Sequence, residues 1–199
     1  IKEYFANYFL HMSDVTFDMQ TNSVEVHNKR AESWKVTLVD TGDDSMTGGR
    51  LLAVKDFLIG EESFCFTYGD GVADIDLDSL ISFHKNHKKL ATLTSTYPQG
   101  RFGALEIQNS KVESFKEKPK GDGDKINGGF FILNQGVFKY IKDKDTIWEQ
   151  EPLMNLANDG QLMAFEHDGF WQPMDTLRDK IFLEELWKKS EAPWKVWKS

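Results

Sequence analysis

Ser63 to Leu77 reads SFCFTYGDGVADIDL. Phe64, Cys65, Phe66, Thr67 and Tyr68 are residue types that suit a pleated, half-buried surface, and they run directly into Gly69, Asp70 and Gly71. A strand therefore ends on an acid. Beyond it, Leu77, Leu80, Ile81 and His84 keep helical spacing, and the segment ATLTSTY from Ala91 is strand-like again. Strand, helix and strand in succession form the repeating unit of an α/β sheet. Open sheets of that class bind ligands beyond the carboxyl ends of their strands, which is where Asp70 falls. Cys65, inside the strand, reads as a small buried hydrophobe.

The whole chain supports one good core. Its 199 residues are 40% hydrophobic and 28% charged, the balance of one globular domain over residues 1–199. No apolar run approaches the ~18 to 20 residues needed to span a bilayer, and no basic leader precedes an apolar segment, so the reading is a soluble, cytoplasmic protein without a membrane partner. One cysteine excludes an intrachain disulfide framework. A net charge of −8 with no basic stripe argues against nucleic acid as a partner. If the ligand is a phosphate, local cations or a metal must hold it.

Strand-like and helix-like segments alternate along the rest of the sequence. IKEYFANYFL places Ile1, Phe5, Tyr8 and Phe9 on one helical face; VTFDM, SVEVH and KVTLVD read as strands; GRLLAVKDFLIG reads as a helix ending at Gly60. FGALEI and VESFKEK, with a turn at Asn109 and Ser110, predict a hairpin, and NGGFFIL a further strand. The last helix starts at Thr176, whose hydroxyl caps while Asp179 reaches back, and runs to about Ser190. The tail EAPWKVWKS carries Trp194 and Trp197, which either fold back or meet another subunit.

Several residues carry candidate chemistry. Asp175, in GFWQPMDT, also follows a short apolar segment and precedes a helix start. Two carboxylates from separate strand ends suit Mg2+, which takes one or two protein carboxylates and keeps its other positions for phosphate oxygens and water. On spacing alone a turn aspartate at Asp70 and an N-terminal capping residue at Asp175 are equally good readings. DSMTGGRLLAV sets Ser45, Thr47, Gly48 and Gly49 ahead of a helix, so backbone N–H groups could face an anion with Arg50 adding delocalised charge; a plain turn fits as well. Glu117 and Lys118 end the strand VESFKEK, where an acid suits sugar hydroxyls and a lysine a phosphate. An exposed, charged strand end is the alternative. Gly103, Gly128 and Gly129 mark close approaches of a ligand or another backbone. His84 and His87 read as a solvated helix end rather than a metal site.

YGDG, RFGALE, FKEKP, NGGFFILN and FWQPMDT, in this order, resemble the sugar-1-phosphate nucleotidylyltransferases over the entire chain. The resemblance implies a Rossmann-like mixed, mostly parallel sheet flanked by helices, with a small β-rich sugar-binding insertion. It implies CTP and α-D-glucose 1-phosphate as substrates, CDP-glucose and pyrophosphate as products, Mg2+ as cofactor, and a homo-oligomer. On the same basis Asp70 and Asp175 hold the metal, and Ser45 and Arg50 lie near the nucleotide, with Gly69 near its ribose. Gly103, Glu117 and Asn127 fall near the glucose, and Lys118 near its phosphate. The family's N-terminal strand and G-x-G-T-R-L loop have no counterpart here, so the expectation is an incomplete chain.

Two other functions compete. The Asp-x-Asp of Asp74 to Asp76 is also what a metal-dependent, nucleotide-sugar glycosyltransferase would show. A non-catalytic sugar-phosphate-binding relative is the other alternative.

Overall fold

The computed structural model describes residues 1–28, 32–98, 104–108, 110–116 and 124–197. The chain divides into two compact units, Ile1–Asp40 and Thr41–Ser199.

The first unit holds two short helices, α1 (Lys2–Ala6) and α2 (Tyr8–His11), and an antiparallel hairpin of β1 (Asp14–Asp18) and β2 (Ser23–His27). The predicted single helix over IKEYFANYFL breaks at Asn7. Of its predicted face, Phe5 stacks on Tyr8 at 6.0 Å, while Ile1 and Phe9 are exposed. KVTLVD, predicted as a strand, has no strand pairing. Alternating β-branched residues fit a strand, but a strand forms only against an edge that accepts its hydrogen bonds.

The second unit runs α3 (Thr47–Ala53), a 3₁₀ turn (Lys55–Leu58), β3 (Ser63–Thr67), β4 (Gly71–Ala73), α4 (Leu77–His87), β5 (Ala91–Thr96), β6 (Ala104–Gln108), β7 (Lys111–Lys116) and β8 (Ile126–Asn134). A 3₁₀ turn (Gln135–Tyr140), α5 (Glu151–Asn158), β9 (Leu162–Glu166), β10 (Trp171–Pro173) and α6 (Leu177–Lys188) complete it. The predicted long helix ending at Gly60 is thus α3 plus a 3₁₀ turn. The predicted hairpin is present as β6 and β7.

The central sheet has the order β3-β8-β5-β9. β8 is antiparallel to both β3 and β5, whereas β5 and β9 are parallel. Three strands therefore share one direction, and β8 lies between two of them. Its sequence explains its place: Phe131 and Leu133 face one side and Ile132 the other, the period of two of a strand covered on both faces. Phe131 and Leu133 pack with Leu51 of α3, Val137, Trp148 and Leu156 of α5. Ile132 packs with Ile75 and with Leu80 of α4. Each such fully buried side chain stabilises the fold by roughly 1.5–3 kcal/mol.

Capping chemistry fixes the helix ends. Asp76 accepts from the Ser79 amide at 3.0 Å and starts α4. The predicted capping box is present at α6, with Thr176 as N-cap and Asp179 returning the bond.

Two side-chain expectations change. Cys65 is exposed rather than buried, on the face of β3 opposite Phe64 and Phe66, which pack on the core. His84 is 2% exposed, not solvated, and its ring nitrogens meet Thr92 Oγ1 at 2.8 Å and Asn134 Oδ1 at 2.9 Å. In the tail, Trp194 stacks on Phe170 at 5.5 Å.

Candidate active site

The chain beyond β3 turns at Gly69 and Asp70 and enters β4, which pairs with β10 through Gly71 and Pro173. One step further along this ribbon the Met174 amide donates to the Asp70 carbonyl at 2.7 Å. Main-chain pairing therefore brings the segments holding Asp70 and Asp175 together, although 104 intervening positions separate them in the sequence. Both aspartates line one cleft of about 160 Å³, with Tyr68, Asn127, Gly128 and Trp171 among its walls. That volume is below the ~300–1,000 Å³ of whole-ligand sites and suits part of a substrate. Asp175 is not the helix cap, because Thr176 fills that role.

The cleft wall is a polar network on an aromatic base. Tyr68 donates its phenolic proton to Glu149 Oε1 and accepts from Asn127 Nδ2 at 3.2 Å. Burial, and the Glu149 carboxylate that takes this hydrogen bond, push the Tyr68 phenol well above its ordinary value. Asn127 Oδ1 accepts the Gly129 amide at 2.9 Å. Gly129 has φ +79°, and a Cβ there would stand 2.6 Å from the Tyr68 ring, so glycine is required twice over. The Trp171 indole donates to the Gly128 carbonyl at 2.7 Å and ties β10 to β8.

The predicted anion cradle before α3 is arranged differently. The Gly48 and Gly49 amides donate to the Thr146 carbonyl at 2.9 and 3.2 Å, and the Met46 amide to the Lys144 carbonyl at 2.9 Å. These N–H groups dock α3 on the 144–146 segment, which corrects their reading as phosphate donors. Ser45 Oγ donates to the Thr41 carbonyl, and the Arg50 guanidinium spans Thr41 Oγ1 (2.7 Å) and the Asp43 carbonyl (3.1 Å). Neither these residues nor Gly69 is part of the cleft lining. Thr47 reaches the cleft wall indirectly, through a 2.6 Å bond to Glu149 Oε2. Gly103, Glu117 and Lys118 lie outside the described residues.

Both acids of the Asp-x-Asp segment already serve the fold. Asp74 accepts the Phe170 amide at 2.7 Å and stands 3.1 Å from His167 Nε2, while Asp76 caps α4. Glu149, which takes the hydrogen bond of the cleft residue Tyr68, is a residue that sequence reasoning missed. Nothing local marks it, since its partners Thr47 and Tyr68 are 102 and 81 positions away.

Residues 6–176 match the model of the nucleotidyl transferase family. The chain belongs to that family. Among its relatives this nucleotidyl transferase is 68% identical over 197 residues to the glucose-1-phosphate cytidylyltransferase of Salmonella typhi, spanning 99% of this chain and 77% of that protein. It is 67% identical, with the same coverage, to the glucose-1-phosphate cytidylyltransferase of Salmonella typhimurium. HddC from Yersinia pseudotuberculosis has the same fold, with a TM-score of 0.55 over 73% of this nucleotidyl transferase and 64% of that chain, at 21% identity. Among the described residues no helix is long and apolar enough to cross a membrane.

Proposed function

We propose that this chain transfers a cytidylyl group from CTP to α-D-glucose 1-phosphate, giving CDP-glucose and pyrophosphate. The reading rests on the convergence of Asp70 and Asp175 on one polar cleft. It is supported by identities of 67–68% to proteins named for that activity. Residues 1–199 then act as one nucleotidyl transferase domain, consistent with a family match that extends across both compact units.

The attacking group is an oxygen of the sugar phosphate, already anionic at neutral pH. It needs no enzyme base and no covalent nucleophile. The barrier lies mainly in bringing two polyanions together in line, so positioning and charge neutralisation supply the catalysis. Asn127 and the Gly128–Gly129 backbone orient the sugar phosphate in the cleft. Arg50, Ser45 and Gly69 serve the nucleotide side, and Gly103, Glu117 and Lys118 the sugar phosphate.

The cleft fits a hard divalent cation. Its candidate ligands are the two carboxylates Asp70 and Asp175, and among the described residues no group of three or more His, Cys, Asp or Glu is placed to hold a metal ion. That oxygen-only donor set suits Mg2+ rather than zinc. When bound there, Mg2+ supplies neutralisation of the phosphate charge. The protein is proposed to be a cytoplasmic homo-oligomer.

Incubation of the full protein with glucose 1-phosphate and each of the four nucleoside triphosphates, followed by pyrophosphate assay, tests this. CTP should give the fastest release. Release of a nucleoside diphosphate from a nucleotide sugar would instead assign glycosyl transfer, and binding of glucose 1-phosphate without pyrophosphate would assign a binding protein.

A further inference from the structure

We infer that Glu149 is a positioning residue for the sugar-phosphate side of the cleft, acting through Tyr68 on Asn127; the inference rests on the function proposed above. Glu149 lies between buried Trp148 and the start of α5, and its two oxygens serve different parts of the fold. Oε2 accepts from Thr47 Oγ1 at 2.6 Å, and that hydroxyl in turn accepts the Trp148 amide at 2.9 Å. Oε1 accepts the Tyr68 phenolic proton. The carboxylate is thereby fixed to the first residue of α3 on one side and to the cleft wall on the other.

Directionality gives the arrangement its consequence. A carboxylate only accepts, so the Tyr68 proton is committed to Glu149 and the phenolic oxygen turns its lone pairs toward Asn127. Asn127 Nδ2 then donates one proton to Tyr68, while Oδ1 is committed to the Gly129 amide. The amide is held in a single orientation. Its second Nδ2 proton remains for an oxygen of the bound sugar phosphate. Without Glu149, the Tyr68 proton can rotate toward Asn127 and oppose that orientation, donor against donor. Thr47, which is not part of the cleft lining, enters the same chain as the group that aims Glu149.

The test measures glucose 1-phosphate binding by calorimetry, together with kcat and the two KM values, in the full protein. Glu149→Ala and Tyr68→Phe should each weaken glucose 1-phosphate binding about five- to tenfold, the scale of one hydrogen bond. The KM for CTP should change less than twofold. Glu149→Gln keeps an acceptor for Tyr68 and should recover most of the loss. The double variant Glu149→Ala/Tyr68→Phe should bind about as weakly as the worse single, because both act on one asparagine. A purely structural role would lower the melting temperature without splitting the two KM values. The inference is overturned if Glu149→Ala binds glucose 1-phosphate within twofold of wild type. It also falls if Glu149→Gln is as weak as Glu149→Ala, or if the double loss equals the product of the singles. Should Glu149→Ala not fold, Glu149→Gln against Tyr68→Phe decides the matter, with unequal losses expected. Wild-type binding without pyrophosphate release would remove the proposed function alone. Absence of wild-type binding would remove both.

Discussion

Asp70 and Met174 are joined through the main chain, the Met174 amide donating to the Asp70 carbonyl at 2.7 Å, so the Asp70 backbone and the segment leading into Asp175 move as one. Side-chain changes that leave this ribbon intact isolate the charges. Asp175→Asn and Asp70→Asn should each lower pyrophosphate release at least about a hundredfold while the thermal midpoint stays level. The double variant should lose much less than the product of the singles, since both serve one ion. Near-normal turnover of either single variant at limiting magnesium would return that aspartate to a turn.

Gly49 is a packing residue. A Cβ at this position would stand 2.1 Å from the Lys144 carbonyl oxygen, part of the backbone that also receives the α3 amides. Gly49→Ala should therefore destabilise the fold by about 1–3 kcal/mol, the scale of overpacking. Urea denaturation measures it, and an unchanged midpoint would contradict the docking of α3.

His87 gives the fold a pH dependence. Partial burial, and to a lesser degree the charge of His84, hold its pKa below the ordinary histidine value. Its Nδ1 accepts the Lys89 amide at 2.9 Å, so Nε2 carries the proton toward Thr92 Oγ1 at 2.6 Å. A second proton would enter at Nδ1 and face the Lys89 N–H. The unfolded chain takes that proton more readily than the folded one. The stabilising contribution is therefore complete above the unfolded value of about 6.5 and is lost as pH falls through it toward the folded value. Denaturant midpoints should decline from pH 7 to 5.5, and His87→Gln should flatten that slope.

The α6 cap is tied to β10, whose Trp171 and Pro173 line the cleft. Asp179 Oδ2 accepts from Thr176 N and Oγ1 at 2.9 and 2.7 Å, while Oδ1 accepts from Gln172 of β10 at 3.2 Å. Thr176→Ala should cost about 1 kcal/mol of stability. Asp179→Ala removes the cap and the Gln172 bond together, so it should lower turnover several-fold more than Thr176→Ala does. Equal turnover in the two variants would separate the cap from the site.

Locally encoded features were legible in the sequence. The strand into Tyr68, the turn at Gly69–Asp70, the spacing of α4 and the Thr176–Asp179 box each depend on residues a few positions apart. Cys65 was misread because hydrophobic character does not say which face of a strand is covered, and the core lies on the Phe64 and Phe66 side of β3. The Gly48–Gly49 pair looked like an anion turn because its acceptor, Thr146, belongs to a distant segment. Glu149 was invisible for the same reason: the bond it accepts from Tyr68 exists only once the 144–149 segment meets β3. Asp70 and Asp175 were each legible as acids at strand ends, but position alone left a turn or a cap as equally good readings, and likeness to a family decided for the metal pair.

The antiparallel placement of β8 between β3 and β5 sets an order of assembly. β3 and β5 share a direction but never bond to each other, since each pairs with β8. During synthesis β3 emerges some sixty residues before its partner, Ile126–Asn134, and β5 some thirty-five before. The other described partner of β5, β9, comes later still. The sheet consequently closes in one late event around Phe131, Ile132 and Leu133. Its dependence on contacts distant in sequence marks it as a slow step, during which the apolar strand Ser63–Thr67 waits for β8 and is open to aggregation.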